Sequence, residues 1–152
     1  MIGLAAYQPD IAPNLGAMIR ISACFGLPLD IIEPCGFPLS VKALRRSAMD
    51  YANMADMTRH DSWEAFREAR AQHRLVLLTT AGATGLWDFS FRQGDIILTG
   101  RESAGVPPQV AAAADARLRI PMPGGGRSLN VAVAAAIALA EAMRQLRPGG
   151  AA

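Results

Sequence analysis

Apolar residues recur along this chain in short, nearly continuous runs: Ile2 to Tyr7, Leu29 to Glu33, Ala52 to Met57, Leu75 to Thr80, Asp95 to Thr99 and Leu118 to Ile120. Runs rich in Leu, Ile and Val that do not alternate with polar residues predict strands covered on both faces. Between them lie segments of helical period. The first spans Pro13 to Gly26, with proline at its start, glycine as its stop, and an apolar face of Leu15, Met18, Ile19, Ser22 and Phe25. A second spans Ser62 to Gln72, with Ser62 as cap, Glu64 in the first turn and Trp63, Phe66 and Ala69 packing. The last opens at Ser128 and runs to about Leu146, and its Ala-rich body is apolar on more than one face. It packs either wholly within its own chain or partly on a second subunit. The pattern predicts an α/β fold with a mainly parallel sheet and helices on both faces.

Composition narrows the class. The 152 residues suit one domain, 1–152, with 51% hydrophobic and 18% charged residues and a mean hydropathy of +0.20. Such a chain is too apolar for disorder and too interrupted by charge for a membrane protein. The longest apolar run, Val131 to Ala140, is about half the roughly 20 residues that span a bilayer, and no signal peptide is apparent. Fifteen basic residues against thirteen acidic ones give a net charge of +2, so any basic surface is local. Cys24 and Cys35 form no C-x-x-C pair, which argues against zinc and for a reducing cytoplasm; no metal is expected. His60 and His73 have no partner at ligand or triad spacing, and with Cys24 they read as structural.

Three loops follow predicted strands, where open α/β sheets bind ligands. The first runs from Gln8 to Arg20. Asn14 and Arg20 in it are six apart, about 1.7 turns of helix, and do not share a face of a regular helix. Arg20 read alone is a solvated helix arginine or an oxyanion clamp. The second, Gly100 to Pro108, sets glycines around the Glu102 carboxylate. The third, Pro121 to Asn130, carries Gly124, Gly125 and Gly126 but neither a P-loop lysine nor a dinucleotide fingerprint.

Together these loops resemble the SPOUT superfamily of RNA methyltransferases. Asn14-Leu15-Gly16 with Arg20 is similar to its first motif, Gly100-Arg101-Glu102-Ser103-Ala104-Gly105-Val106-Pro107 to its second, and Ile120-Pro121-Met122 with Ser128-Leu129-Asn130 to its third. The short chain resembles the TrmL family, as do Ile31-Ile32-Glu33-Pro34, Gly36-Phe37, Leu44-Arg45-Arg46 with Asp50-Tyr51, and Leu78-Thr79-Thr80. Arg101 and Leu129 depart from the proline and methionine common in TrmL and look more like the wider TrmH group.

The resemblance implies a deep C-terminal trefoil knot, a homodimer, S-adenosylmethionine as cofactor and tRNA as partner. The implied reaction is 2′-O-methylation of cytidine or modified uridine at the wobble position. Carried onto this sequence, Arg20, Asn14, Glu102, Ser128 and Asn130 become the catalytic set. Leu78, Thr79, Gly100, Glu102, Gly105, Ile120, Met122, Ser128 and Leu129 become the cofactor site. Because an arginine stays protonated, Arg20 is expected to bind the phosphate beside the target hydroxyl rather than act as a neutral base. Arg45, Arg46 and Arg127 are expected RNA contacts, with Arg59 and Arg144 as further candidates. Methylation of another tRNA or rRNA site, a non-catalytic RNA-binding module and a nucleotide hydrolase using the Gly124 to Gly126 loop are the alternatives.

Overall fold

The computed structural model describes residues 1–40, 42, 46 and 55–149. Its strands are β1 (Gly3–Tyr7), β2 (Pro28–Ile32), β3 (Asp56–His60), β4 (Leu75–Leu78), β5 (Thr84–Gly85), β6 (Ile96–Thr99) and β7 (Ala116–Arg119). Helices with described bounds are α1 (Ala12–Phe25), α2 (Trp63–Ala69), α3 (Pro108–Ala113) and α4 (Val131–Leu146), and a single 3-10 turn spans Leu86–Asp88. The seven strands form one sheet in the order β3-β2-β1-β6-β4-β7-β5, and every pairing is parallel. The α/β reading with a parallel sheet therefore holds.

The near-continuous apolar runs are explained by the two cores they serve. Leu4, Ile31, Val76, Ile97 and Leu118 face α1 and α4, with Leu15, Met18, Ile19, Ala135 and Leu139. Ala5, Leu75, Leu77 and Leu98 face the other way, onto Phe66 of α2 and Val110 of α3. A strand covered on both faces has no polar side to show, so it lacks period-2 alternation.

Several boundaries differ from the sequence reading. The third strand lies at Asp56–His60 rather than 52–57, because it is a sheet-edge strand made of polar residues; positions 52–54 are outside the described residues. The sixth predicted run, Leu118 to Ile120, is β7 at Ala116–Arg119. The two-residue β5 carried no apolar run to announce it, and the short helix α3, not predicted from the sequence, begins at Pro108 with Pro107 as its cap position. Helix α1 ends as expected, with Gly26 left-handed at φ 64°. Phe25, however, is 55% exposed instead of packing with Leu15 and Met18. Ser62 caps α2, its hydroxyl accepting from Ala65 N–H at 3.0 Å, and the helix stops at Ala69. The last helix begins at Val131, not Ser128, because the Asn130 side chain takes the cap.

Parallel pairing brings the carboxyl ends of β1, β6, β4 and β7 to one edge of the sheet. The chain segments leaving those ends are the three loops singled out above, together with the turn after Leu78.

Candidate active site

At that edge lies a cleft of about 820 Å³. Its walls come from Leu78 and Thr79 after β4, Gly100, Glu102 and Gly105 after β6, and Ile120, Met122, Ser128 and Leu129 after β7. Asn14 and Asn130 line it as well, so every proposed cofactor residue and four of the five proposed catalytic ones converge there. A volume of this size is in the range of roughly 300 to 1,000 Å³ that small-molecule sites occupy.

The loop after β6 is folded back on itself. Arg101 and Gly105 exchange backbone hydrogen bonds of 3.0 and 2.9 Å. Gly100 sits so close beneath that a Cβ there would stand 2.8 Å from the Gly105 carbonyl carbon, and Gly105 itself is left-handed at φ 59°. Only glycines permit that turn, which presents Glu102 to the cleft.

Glu102 is then gripped from two sides. Asn14 Nδ2 donates to Glu102 Oε1 at 3.1 Å, and the Asp10 backbone N–H donates to Oε2 at 3.2 Å. Asp10 in turn accepts from the Glu102 N–H at 3.1 Å and from the Ser103 hydroxyl. From the far side, Asn130 Nδ2 donates to Asn14 Oδ1 at 2.8 Å, while Asn130 Oδ1 accepts the Ala132 and Val133 N–H groups at 2.9 and 3.1 Å. One chain of side chains thus links the start of α4, the start of α1 and the Glu102 carboxylate. Burial holds the Glu102 carboxyl above its ordinary value, and the hydrogen bond with Asp10 adds to this. The same hydrogen bond and that from Ser103 draw Asp10 down to about 2.

Other predicted residues fall elsewhere. Arg20 is exposed on α1 and does not line the cleft of its own chain, as its six-residue offset from Asn14 implies. Ser128 and Arg127 line the cleft and are exposed. Arg46 is exposed, and Arg45 lies outside the described residues. Arg59 is paired with Glu33 at 2.9 Å and Arg144 with Glu141 at 2.9 Å, so both charges are already matched. His60 is structural: buried, it bonds Asp30 at 2.7 Å, and Asp30 also receives two bonds from Arg70. Burial raises the Cys35 thiol to about 11, which leaves it protonated near neutrality. Among the described residues no group of three or more His, Cys, Asp or Glu side chains could hold a metal. No helix among them is long and apolar enough to cross a membrane.

Asp10 and Arg101 are the site residues the sequence reading did not assign. No local sequence signal marks Asp10; the structure packs Gly36 so near it that a Cβ there would stand 2.8 Å from the Asp10 Cβ.

Residues 1–140 match the profile of the SpoU rRNA Methylase family. The chain belongs to that family. A relative from Beijerinckia indica subsp. indica, a tRNA (cytidine(34)-2′-O)-methyltransferase, is 53% identical over 145 residues, covering 94% of this chain and 91% of the relative. The protein of the same name from Escherichia coli K12 is 40% identical over 116 residues, covering 76% and 74%. A solved structure reported as structural insights into the 2-OH methylation of C/U34 on tRNA superimposes with a TM-score of 0.90 at 44% identity over 96% of both chains. An AdoMet-bound rRNA methyltransferase from Sinorhizobium meliloti superimposes at 0.84 with 27% identity, covering 97% of this chain and 57% of that one. As a SpoU methylase, the chain carries its motif residues on the loops that build the cleft.

Proposed function

We propose that this SpoU methylase transfers a methyl group from S-adenosylmethionine to the ribose 2′-hydroxyl of the wobble nucleotide of tRNA, position 34, cytidine or modified uridine. The observation that carries this reading is the convergence of Asn14, Glu102 and Asn130 on one glycine-built cleft, in a chain whose relatives bear that activity by name.

The cleft suits the donor. Leu78, Ile120 and Leu129 offer apolar walls to a purine, and the Gly100 to Gly105 turn leaves backbone where side chains would intrude. Glu102 is the carboxylate in the cleft wall, and a cation bound beside it favours its ionised form against the burial that raises it. When bound, S-adenosylmethionine supplies an electrophilic methyl carbon: the C–S bond breaks as the ribose oxygen bonds to that carbon. The protein's task is alignment, because an in-line displacement depends on held geometry. Asn14 and Asn130 fix Glu102 and the start of α4, and Ser128 shapes the junction with the ribose.

Arg20 binds the phosphate next to the target ribose and stabilises the forming oxyanion, and that phosphate takes the hydroxyl proton. Since Arg20 does not line its own cleft, a second copy of the chain supplies it. Exposed apolar side chains on and beside α1 and α4 support a homodimer through those helices: Ile11 at 44%, Phe25 at 55% and Val133 at 48% exposure. The last helix then packs both within its chain and on the second copy. Arg127 and Arg46 contact tRNA phosphates. The strand order, in which β7 lies between β4 and β5, supports a knotted C-terminal half. A cytoplasmic location belongs to the same reading.

The test is transfer of labelled methyl from S-adenosylmethionine to tRNA transcripts. Label should enter unmodified or base-modified transcripts and fail to enter those with 2′-deoxyribose at position 34. Equal labelling of the deoxy transcript overturns the assignment.

A further inference from the structure

The sequence reading treated Arg101 as a departure from the family pattern, and the structure gives it a defined setting. Its guanidinium lies over the Tyr7 ring, 5.6 Å from the centroid, and its Nε donates to the Gly105 carbonyl at 3.0 Å. Those two contacts fix the plane of the fork while Arg101 lines the cleft. Tyr7 is 5% exposed and stands edge-on to Trp63 at 6.0 Å, and Trp63 carries Arg67 over its own face at 5.7 Å. A line of cation, ring, ring, cation therefore runs from the cleft rim, past the carboxyl end of β1, to the first turns of α2.

The charges at its two ends differ from the four arginines that are paired with carboxylates. Arg59, Arg70, Arg74 and Arg144 each meet a carboxylate. Among the described residues neither Arg101 nor Arg67 has one. A guanidinium oriented by an aromatic face keeps its full charge and its outer N–H groups for an oxyanion, and loses little rotamer freedom on binding one.

We propose that Arg101 and Arg67, held by Tyr7 and Trp63, grip phosphodiesters of the RNA strand flanking the target nucleotide, so that this strand leaves the cleft across the end of β1 and the start of α2. The proposal rests on the tRNA reading above and adds to it a substrate path and two binding residues. An anionic backbone is the ligand these groups fit, since buried Tyr7 offers no face for a base to stack on.

The experiment uses the full-length protein with an anticodon stem-loop and with intact tRNA transcripts. Binding is measured by anisotropy across a salt series, S-adenosylmethionine affinity by calorimetry, and folding by thermal melting. Arg101→Ala should raise the RNA Kd about tenfold, as expected for a lost charge-assisted hydrogen bond, and Arg67→Ala about threefold. Each should lower the slope of log K against log salt by about 0.7, with cooperative melting retained in both and donor affinity unchanged in Arg67→Ala. Arg101→Lys should keep the salt slope and recover part of the affinity, having the charge without the fork. Unchanged RNA affinity and slope in the Arg101→Ala, Arg67→Ala double variant overturn the proposal while the wild type still methylates position 34. Loss of donor affinity with intact RNA binding also overturns it, because Arg101 would then be gripping the donor's carboxylate. Failure of the wild type to methylate position 34 is the separate failure of the reading beneath.

Discussion

Asn130 performs two jobs with two different atoms, and substitutions can divide them. Its Oδ1 caps α4 through the Ala132 and Val133 N–H groups, and its Nδ2 holds Asn14, which holds Glu102. Asn130→Ala removes both. Loss of such a cap costs about 1 kcal/mol, which for a domain of this size lowers Tm by about 2 to 4 °C. Asn130→Asp keeps the cap acceptor and places a negative charge at the helix N-terminus, so Tm should hold or rise slightly. The aspartate nevertheless has no N–H for Asn14. The Asn14 amide must then turn its own N–H towards residue 130, and Glu102 loses that donor. Because the Asn14 bond pulls the Glu102 carboxyl down, the Glu102 titration should move higher still in Asn130→Asp. Loss of one bond to a charged group, about 1.5 kcal/mol, predicts roughly a tenfold fall in kcat/KM. Thermal melting, methyl transfer to tRNA and carboxyl NMR titration measure the three effects. If Asn130→Asp melted as wild type and kept full turnover with Glu102 unmoved, the linkage from helix cap to carboxylate would be wrong.

Two further perturbations test the electrostatics. Asp10 is drawn down to about 2, so its contribution to stability is present above its unfolded value of 3.8 and is lost as pH falls towards 2; Glu102 is raised, so its charged form weakens the fold as pH rises through its titration. Asp10→Asn should lower the Glu102 titration midpoint in a carboxyl NMR experiment, and a midpoint that stays or rises refutes the shared hydrogen bond. In the middle of β2, Asp30 is 2% exposed and satisfies both Arg70 and His60, so Asp30→Ala leaves two polar partners without their acceptor. About 3 kcal/mol of stability should go, a fall of about 1 to 2 M in urea midpoint, with S-adenosylmethionine affinity in the folded protein unchanged; a shift under 0.3 M, about a fifth of that, contradicts it.

How far the fold and site could be read follows from where each signal lives. Strands buried on both faces announced themselves, since burial demands apolar residues at every position; β3, with Asp56, Thr58 and Arg59 at the sheet edge, had no such demand and was displaced in the reading. Helix α1 carried its stop in Gly26. The start of α4 was misplaced because Ser128 and Asn130 are both good caps by residue type, and only the bonds to Ala132 and Val133 choose between them. The loops holding Gly100, Gly105 and Gly126 do line the cleft, and their glycines were legible because a tight turn needs glycine locally. The links among Asn14, Glu102 and Asn130 span separations of 88 and 116 residues, and no local pattern encodes them. Asp10 was missed for the same reason: its partners Glu102 and Ser103 lie 92 and 93 residues on.

Charge shows the same limit in sharper form. A net +2 gives little reason to expect a nucleic-acid surface, yet net charge sums groups that cancel locally with groups that do not. Arg59, Arg70, Arg74 and Arg144 are each tied to a carboxylate and contribute little field beyond it. Arg101 and Arg127 line the cleft with no carboxylate partner among the described residues, and Arg67 stands beyond Trp63 in the same condition. The carboxyl edge of a parallel sheet gathers the loops that leave its strands, so a few unmatched cations in those loops concentrate at one place. A nearly neutral chain can in this way gather unmatched cations at one edge, beside the Glu102 carboxylate.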